Sequence, residues 1–330
     1  MLGAGSVGCY IGGAWATAGL PVSFIGRPRI AKDIRDHGLT LSDYEGWHAA
    51  MPGSDVDYAC VPDGLGEADI IALCVKSGAT GEAARDIVEH GRDGALVISF
   101  QNGVSNVDVL TDALGPRFRV ARGMVPYNVA YLGEGRFHKG VAGDLWVEDG
   151  PETRALAQHI GSGPAALRLS ADMLGIAWGK LLINLNNAVS ALSGRTLLEE
   201  LSQRDYRRVF AAAQREGLRL LRRAGIKPAK VGPVPPRLLP AVIASPDWLF
   251  KNLFLKGWKI DTRARSSMAD DLAHGRKTEI DFLNGELVRL AERLGRQAPV
   301  NQAIVELIRK AEDGAAPWDP PALRRAVLGR

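Results

Sequence analysis

The chain has 330 residues, enough for two domains with cores of their own at about 150 residues each. Its 46% apolar and 24% charged residues are the mix of a folded globular protein and argue against a largely disordered one. With 41 basic and 37 acidic residues the net charge is +4, too weak by itself to point to nucleic acid.

The first predicted element is a glycine loop. Gly3-Ala4-Gly5-Ser6-Val7-Gly8 reads G-x-G-x-x-G, with an apolar helical stretch over 7–18 behind it and a β-run over 22–25 that ends at Gly26. In this pattern one glycine allows the tight turn, the next lets a pyrophosphate approach the backbone, and the third lets helix and strand pack closely. The helix N-terminus supplies unpaired N–H groups for phosphate. Such a loop normally follows a first strand of about five residues. Only Met1 and Leu2 stand before it, so either a natural chain that starts upstream or a strand reduced to a stub is expected.

Further β-runs follow at 70–75, 96–100 and 120–125, with helical patterns at 80–90 and 104–114 between them. This alternation predicts βαβ units and a parallel sheet. Added strands are expected at 127–132, 144–147 and 166–169. Residues 1–169 hold 26 of the 38 glycines, and the remaining residues 12. Beyond 169 the patterns are helical: one helix over 172–192, another over 203–224, and a third over 278–294 with Thr278 and Asp281 as a capping box. A proline-rich loop spans 228–240, and a tail begins at Ala315. The expected fold is α/β plus all-α: a Rossmann-type dinucleotide-binding domain over 1–169, then a helical substrate domain over 170–330.

Where β-run 22–25 ends, the chain reads Gly26-Arg27-Pro28-Arg29, without the acid that would bind a ribose 2′-OH. A guanidinium suits a 2′-phosphate in charge and forked geometry, so Arg27 points to NADP(H). Lys180, Asn184 and Asn187 stand at i, i+4 and i+7 and share one face of the helix over 172–192. Periodicity alone leaves this stripe equally a solvated face or a substrate surface. As a surface it offers an ammonium to an oxygen that gains charge, and amides to hydroxyl or carboxylate groups. Asn102 follows the β-run over 96–100, at the strand end where open α/β sheets bind ligands; an ordinary Asn-Gly turn is the plainer reading. Glu279 falls in the first turn of the helix over 278–294, where the dipole favours a carboxylate.

Together these segments resemble the 2-dehydropantoate 2-reductase (ketopantoate reductase) family over most of the chain. The likeness rests on LGAGSVG from Leu2 to Gly8, Val75-Lys76, Gln101-Asn102-Gly103, Trp178-x-Lys180-Leu181-x-x-Asn184, and the segment from Ser266 to Gly285 that contains Ser266-Ser267-Met268 and Thr278-Glu279-Ile280-Asp281. The resemblance implies NADPH-dependent reduction of a 2-oxo acid to the 2-hydroxy acid, here ketopantoate to pantoate in pantothenate biosynthesis. It implies that Gly3, Ala4, Gly5, Ser6, Val7, Gly8, Arg27 and Lys76 hold the cofactor, with a backbone contact from Val129. Asn102 would touch cofactor and substrate, Lys180 would be the general acid, and Asn184, Asn187 and Ser267 would bind substrate. Glu279 would contact cofactor and lysine. The chain departs from the family pattern at Ala264 and near Leu198, where asparagines are usual, and after Asn184, where it is one residue shorter. The loop from Lys251 to Arg265 adds Trp258 and several basic residues. These departures leave a different 2-oxo acid or ketone as the alternative substrate.

A non-catalytic dinucleotide sensor would have no need of Lys180, Asn184 and Glu279. The six histidines are scattered without an i, i+4 pair, so no metal is expected. The three cysteines have no close spacing and suit a reducing compartment; with no apolar run near ~20 residues and no secretory leader in view, a cytoplasmic protein is expected. The expected partners are a small 2-oxo acid and, through an apolar face of the helical domain, a second copy of the chain; nucleic acid and membrane are not.

Overall fold

The computed structural model describes residues 1–255 and 264–329; Trp258 lies outside the described residues. The chain divides into two units, Met1–Leu174 and Gly175–Arg330. Among the described residues no helix is long and apolar enough to cross a membrane.

In chain order the strands of the first unit are β1 (Ser23–Ile25), β2 (Leu39–Asp43), β3 (His48–Met51), β4 (Asp57–Ala59), β5 (Ile70–Leu73), β6 (Leu96–Ser99), β7 (Arg119–Met124), β8 (Val129–Tyr131), β9 (Arg136–Lys139), β10 (Leu145–Glu148) and β11 (Leu167–Ser170). Its helices are α1 (Ser6–Thr17), α2 (Pro28–His37), α3 (Thr80–His90), α4 (Asn106–Leu114) and α5 (Pro151–Ile160). β5, β6 and β7 pair in parallel, as do β1 and β4. Leu2 joins the two sets through parallel bridges to Ile25 and to Leu73. Its N–H donates to the Ala72 carbonyl at 2.9 Å, and its carbonyl accepts from Cys74 N–H at 2.8 Å. On the β1 side the bonds come from its neighbours: the Met1 carbonyl accepts from Ile25 N–H and Gly3 N–H donates to the Ile25 carbonyl, both at 2.9 Å, so a stub of three residues fills the place between β1 and β5. β10 and β11 extend the sheet past β7, with β10 antiparallel to it.

The apolar runs of β5 and β6 are buried on both faces, as parallel central strands are. Alternate residues serve the two sides. Ile71, Leu73 and Val97 meet Ile87 of α3 and Leu110 and Leu114 of α4. Ala72, Leu96 and Ile98 belong to the cluster that holds Tyr10, Ile11 and Trp15 of α1. A second sheet, of order β3-β2-β9-β8, also meets α1. Three of its strands, β2, β3 and β9, escape the sequence reading. Each alternates in burial, but over only five residues in β2 and four in β3 and β9, too short a run to stand out.

Helix α6 (Met173–Asn184) leads into the second unit, followed by α7 (Asn186–Ser193), α8 (Leu197–Leu201), α9 (Arg204–Arg223), α10 (Leu239–Ile243), α11 (Asp247–Leu249), α12 (Ser267–Ala273), α13 (Asn284–Arg293), α14 (Pro299–Glu312) and α15 (Pro320–Leu328). α9 is the central helix, packed by α7, α8, α10, α13, α14 and α15. Tyr206, Val209, Phe210, Ala213, Gly217 and Leu220 form its buried face. Arg215, Arg219 and Arg222 lie on the exposed one.

Three expectations need correction. The single helix over 172–192 is two helices separated at Leu185. The Leu182 carbonyl, the i−4 acceptor for residue 186 in a continuous helix, accepts from the Gln214 side chain at 3.0 Å. Thr278 does not cap a helix: its N–H and its hydroxyl both donate to Glu312 Oε1, at 2.8 and 2.7 Å. A 3-10 turn, Ile280–Phe282, intervenes, so α13 begins only at Asn284 and Glu279 lies ahead of both. The tail after Ala315 contains α15, whose Leu323 is buried and whose N-cap, Asp319, accepts from Ala322 N–H at 2.8 Å.

Candidate active site

In the first unit the glycine loop is shaped by contacts that exclude side chains. Gly3 has φ +90°, and a Cβ there would lie 2.5 Å from Val75 N and 2.8 Å from the Cys74 carbonyl carbon. A Cβ on Gly8 would lie 2.7 Å from the Gly3 carbonyl oxygen. Gly5 is different: its nearest neighbour would be Arg27 Nη2, at 3.9 Å. Open space above Gly5 fits the phosphates of a dinucleotide, and a guanidinium stands at its edge. Gly5 is also the N-cap of α1, and it provides no side-chain acceptor for the first-turn N–H groups of Ser6, Val7 and Gly8. Ala4 is buried, and its carbonyl accepts from Tyr58 Oη at 2.8 Å, which braces the loop against β4.

Arg27 follows β1 and is the N-cap of α2. Lys76, exposed, comes three residues after β5 ends, and Asn102 three residues after β6. These residues therefore collect at the carboxyl ends of neighbouring strands, where open sheets bind ligands. The Asn102 loop is fastened from below. The Asn102 carbonyl accepts from Ser77 Oγ at 2.9 Å and from Asn106 Nδ2. Asn106 Nδ2 also donates to Ser77 Oγ at 3.0 Å, and its Oδ1 accepts from Thr80 Oγ1 at 3.0 Å. Gln101 Nε2 donates to Thr80 Oγ1 at 2.8 Å. Ser77, Thr80 and Asn106 are buried, so water does not compete for the hydrogen bonds that tie the loops after β5 and β6 together. Apart from the bond between Asn106 and Asn102, four positions apart, its partners stand 21 to 29 positions apart, so no local pattern reveals the network. Val129 begins β8, an edge strand of the second sheet, opposite Lys139.

In the second unit Lys180 lies in the last turns of α6. A Cβ on the preceding Gly179 would lie 2.2 Å from the Ala229 carbonyl oxygen, and Ala229 N–H donates to the Gly175 carbonyl at 2.8 Å. The proline-rich segment therefore crosses the helix directly beside the lysine. Lys180 is half-buried, and burial pushes its ammonium down to about 8. Asn184, Asn187 and Glu279 are half-buried too, whereas Leu181, Leu182 and Leu185 face the core.

Ser267 is exposed at the first position of α12. Its neighbour Ser266 is buried and is the N-cap, accepting from Ala269 N–H at 3.1 Å. The Ser266 hydroxyl also donates to the Asn187 carbonyl at 3.0 Å, tying α12 to α7. The sequence reading picks Ser267 and passes over Ser266, although a serine just ahead of an apolar helical stretch is an N-cap signal.

Two family models match the chain. Ketopantoate reductase PanE/ApbA covers residues 1–152, and Ketopantoate reductase PanE/ApbA C terminal covers residues 172–312. The chain belongs to this family. The family's 2-dehydropantoate 2-reductase from Halobacterium salinarum is 27% identical over 320 residues, 94% of this chain and 97% of the relative. The crystal structure of a PanE/ApbA family ketopantoate reductase from Ralstonia eutropha JMP134 is 30% identical, with a TM-score of 0.80 over 94% of this chain and 97% of that one. The fold is shared with D-mandelate dehydrogenase in its ternary structure with NADH and anilino(oxo)acetate, at 19% identity and a TM-score of 0.77 over the same shares. The protein is thus an oxidoreductase of the ketopantoate reductase type.

Proposed function

We propose that the protein reduces a 2-oxo acid, 2-dehydropantoate in the first instance, to the 2-hydroxy acid with NADPH. In that role it would serve pantothenate biosynthesis as a cytoplasmic enzyme. The observation that carries the reading is Lys180: an ammonium buried enough to give up its proton near neutral pH, one helical turn from the Asn184 amide.

The reduced nicotinamide, when bound, supplies a hydride to the keto carbon. Gly3 to Gly8 would hold its pyrophosphate on the first-turn N–H groups of α1, and Arg27 its 2′-phosphate, with Lys76 on the adenosine side. Asn102 would orient the carbonyl and the nicotinamide together. Lys180 would give its proton to the keto oxygen as charge develops there, which completes the alcohol. Asn184, Asn187 and Ser267 would hold the substrate's hydroxyl and carboxylate groups, and Glu279 would support the charged lysine and the cofactor. Val129 would add a backbone contact.

A second reading, that another 2-oxo acid is the preferred substrate, is favoured by Ala264 and Leu198, which offer no amide where family members usually carry one. The test is oxidation of NADPH and of NADH against a panel of 2-oxo acids that includes 2-dehydropantoate. The expected outcome is the highest kcat/KM for NADPH with 2-dehydropantoate. A competitor well ahead of it would leave the reaction and change the substrate. Equal use of NADH would remove Arg27 as the selector.

A further inference from the structure

The interior of the second unit contains a carboxyl group that no step above uses. Glu200 of α8 is fully buried, and its Oε2 accepts from Asn186 Nδ2 at 3.0 Å. Asn186, also buried, is the first residue of α7 and stands between Asn184 and Asn187. Two atoms of this pair, Glu200 Oε1 and Asn186 Oδ1, have no hydrogen-bond partner among the described residues. Two unpaired acceptors on two groups already joined by one bond make an expensive arrangement in a core. A proton removes the expense. If Glu200 is a neutral acid, its O–H on Oε1 donates to Asn186 Oδ1, and the planar acid and amide close a ring of two hydrogen bonds.

We propose that Glu200 and Asn186 form a proton-bearing acid–amide pair, and that Glu200 is a positioning residue which holds the α6–α7 junction so that Asn184 and Asn187 present their amides to the substrate. The functional half of this rests on the substrate reading above. Two further observations support it. Burial pushes the Glu200 carboxyl up to about 8, so it keeps its proton at neutral pH. The charged group facing it, the fully buried Arg207 of α9, directs its donors elsewhere: to the carbonyls of Leu201, Ile243 and Ser245 and to Asp247 Oδ1, at 2.8 to 2.9 Å. The junction is therefore gripped at two consecutive residues, Asn186 by Glu200 and Asn187 by Ser266. An apolar pair of similar volume would fill the same space with no desolvation cost, so stability alone gives no reason for the acid.

The test uses wild type, Glu200→Leu, Glu200→Gln and Asn184→Ala, with NADPH and 2-dehydropantoate. Infrared spectroscopy of wild type at neutral pH should show a buried carboxylic-acid C=O stretch that is missing in Glu200→Gln. Glu200→Leu leaves the buried Asn186 amide without its partner, so it should lower the melting temperature by a few degrees and, in the protein that folds, raise KM for the oxo acid about tenfold with kcat little changed, the effect of a slackened binding amide. Glu200→Gln can form the same two-bond ring amide to amide and should restore the wild-type KM. Absence of the infrared band in wild type overturns the pair whether or not Glu200→Leu folds. A wild-type KM in Glu200→Leu overturns the positioning role. If Asn184→Ala leaves KM unchanged, the substrate reading fails and takes the positioning role with it, while the band still decides the pair.

Discussion

Met1–Leu174 carries a glycine loop whose open face is main chain; the candidate residues of Gly175–Arg330 are side chains. The glycine loop owes its shape to what it excludes, with Val75 N and the Cys74 carbonyl carbon too close for any Cβ on Gly3. The helical unit does the reverse. It fixes Asn187 and Asn186 with hydrogen bonds from Ser266 and to Glu200, made in a core where each unmet polar group is costly. A phosphate cradle built from backbone N–H groups needs only the right turn, and its chemistry is the same for any dinucleotide. A substrate surface built from amides needs each side chain aimed, and so needs supports.

This contrast can be broken most severely at the loop. Gly3→Ala forces a left-handed backbone and a clash on Val75, a combined strain on the order of 3 kcal/mol or more, and should depress the melting temperature and abolish NADPH binding together. Gly5→Ala meets only an ordinary contact with Arg27. It should fold as wild type and still lose NADPH affinity in a fluorescence titration, because its methyl occupies the cradle. Equal stability loss in both variants would mean that the open space at Gly5 has no bearing on the ligand.

The smallest effect is expected at Ser266→Ala. Loss of the α12 cap should cost about 1 kcal/mol by chemical denaturation, and KM for the oxo acid should rise only a few-fold as the Asn187 carbonyl loses its donor. A KM effect larger than that of Glu200→Leu would make the cap, and not the buried pair, the main support of the junction.

The same contrast explains how much was legible beforehand. The glycine loop, the strand ends and the order of βαβ units are local patterns, and α3 is found at its full length, Thr80–His90. The family resemblance is legible for the same reason, since its motifs are contiguous. What escapes is set by distant partners. The break at Leu185 depends on Gln214, 32 positions from the carbonyl it binds. Thr278 satisfies a capping pattern on paper and is taken instead by Glu312, 34 positions on. β2, β3 and β9 are short strands that become a sheet only by pairing with one another, with α1 packed on β2 and β9. Glu200 reads as one of many surface acids until the fold buries it beside Asn186.

The central claim is that Lys180 is the proton donor, and the pH dependence of kcat for the reduction tests it most directly. A half-buried lysine held at about 8 carries its proton below that pH and loses it above, so the donor is loaded at neutral pH and emptied as pH rises. Wild type should show kcat level at neutral pH and falling roughly tenfold per unit above about pH 8, and Lys180→Met should fold normally with kcat lowered about 10²- to 10⁴-fold and no such limb. A Lys180→Met enzyme that turns over near the wild-type rate and keeps the alkaline limb would contradict the account.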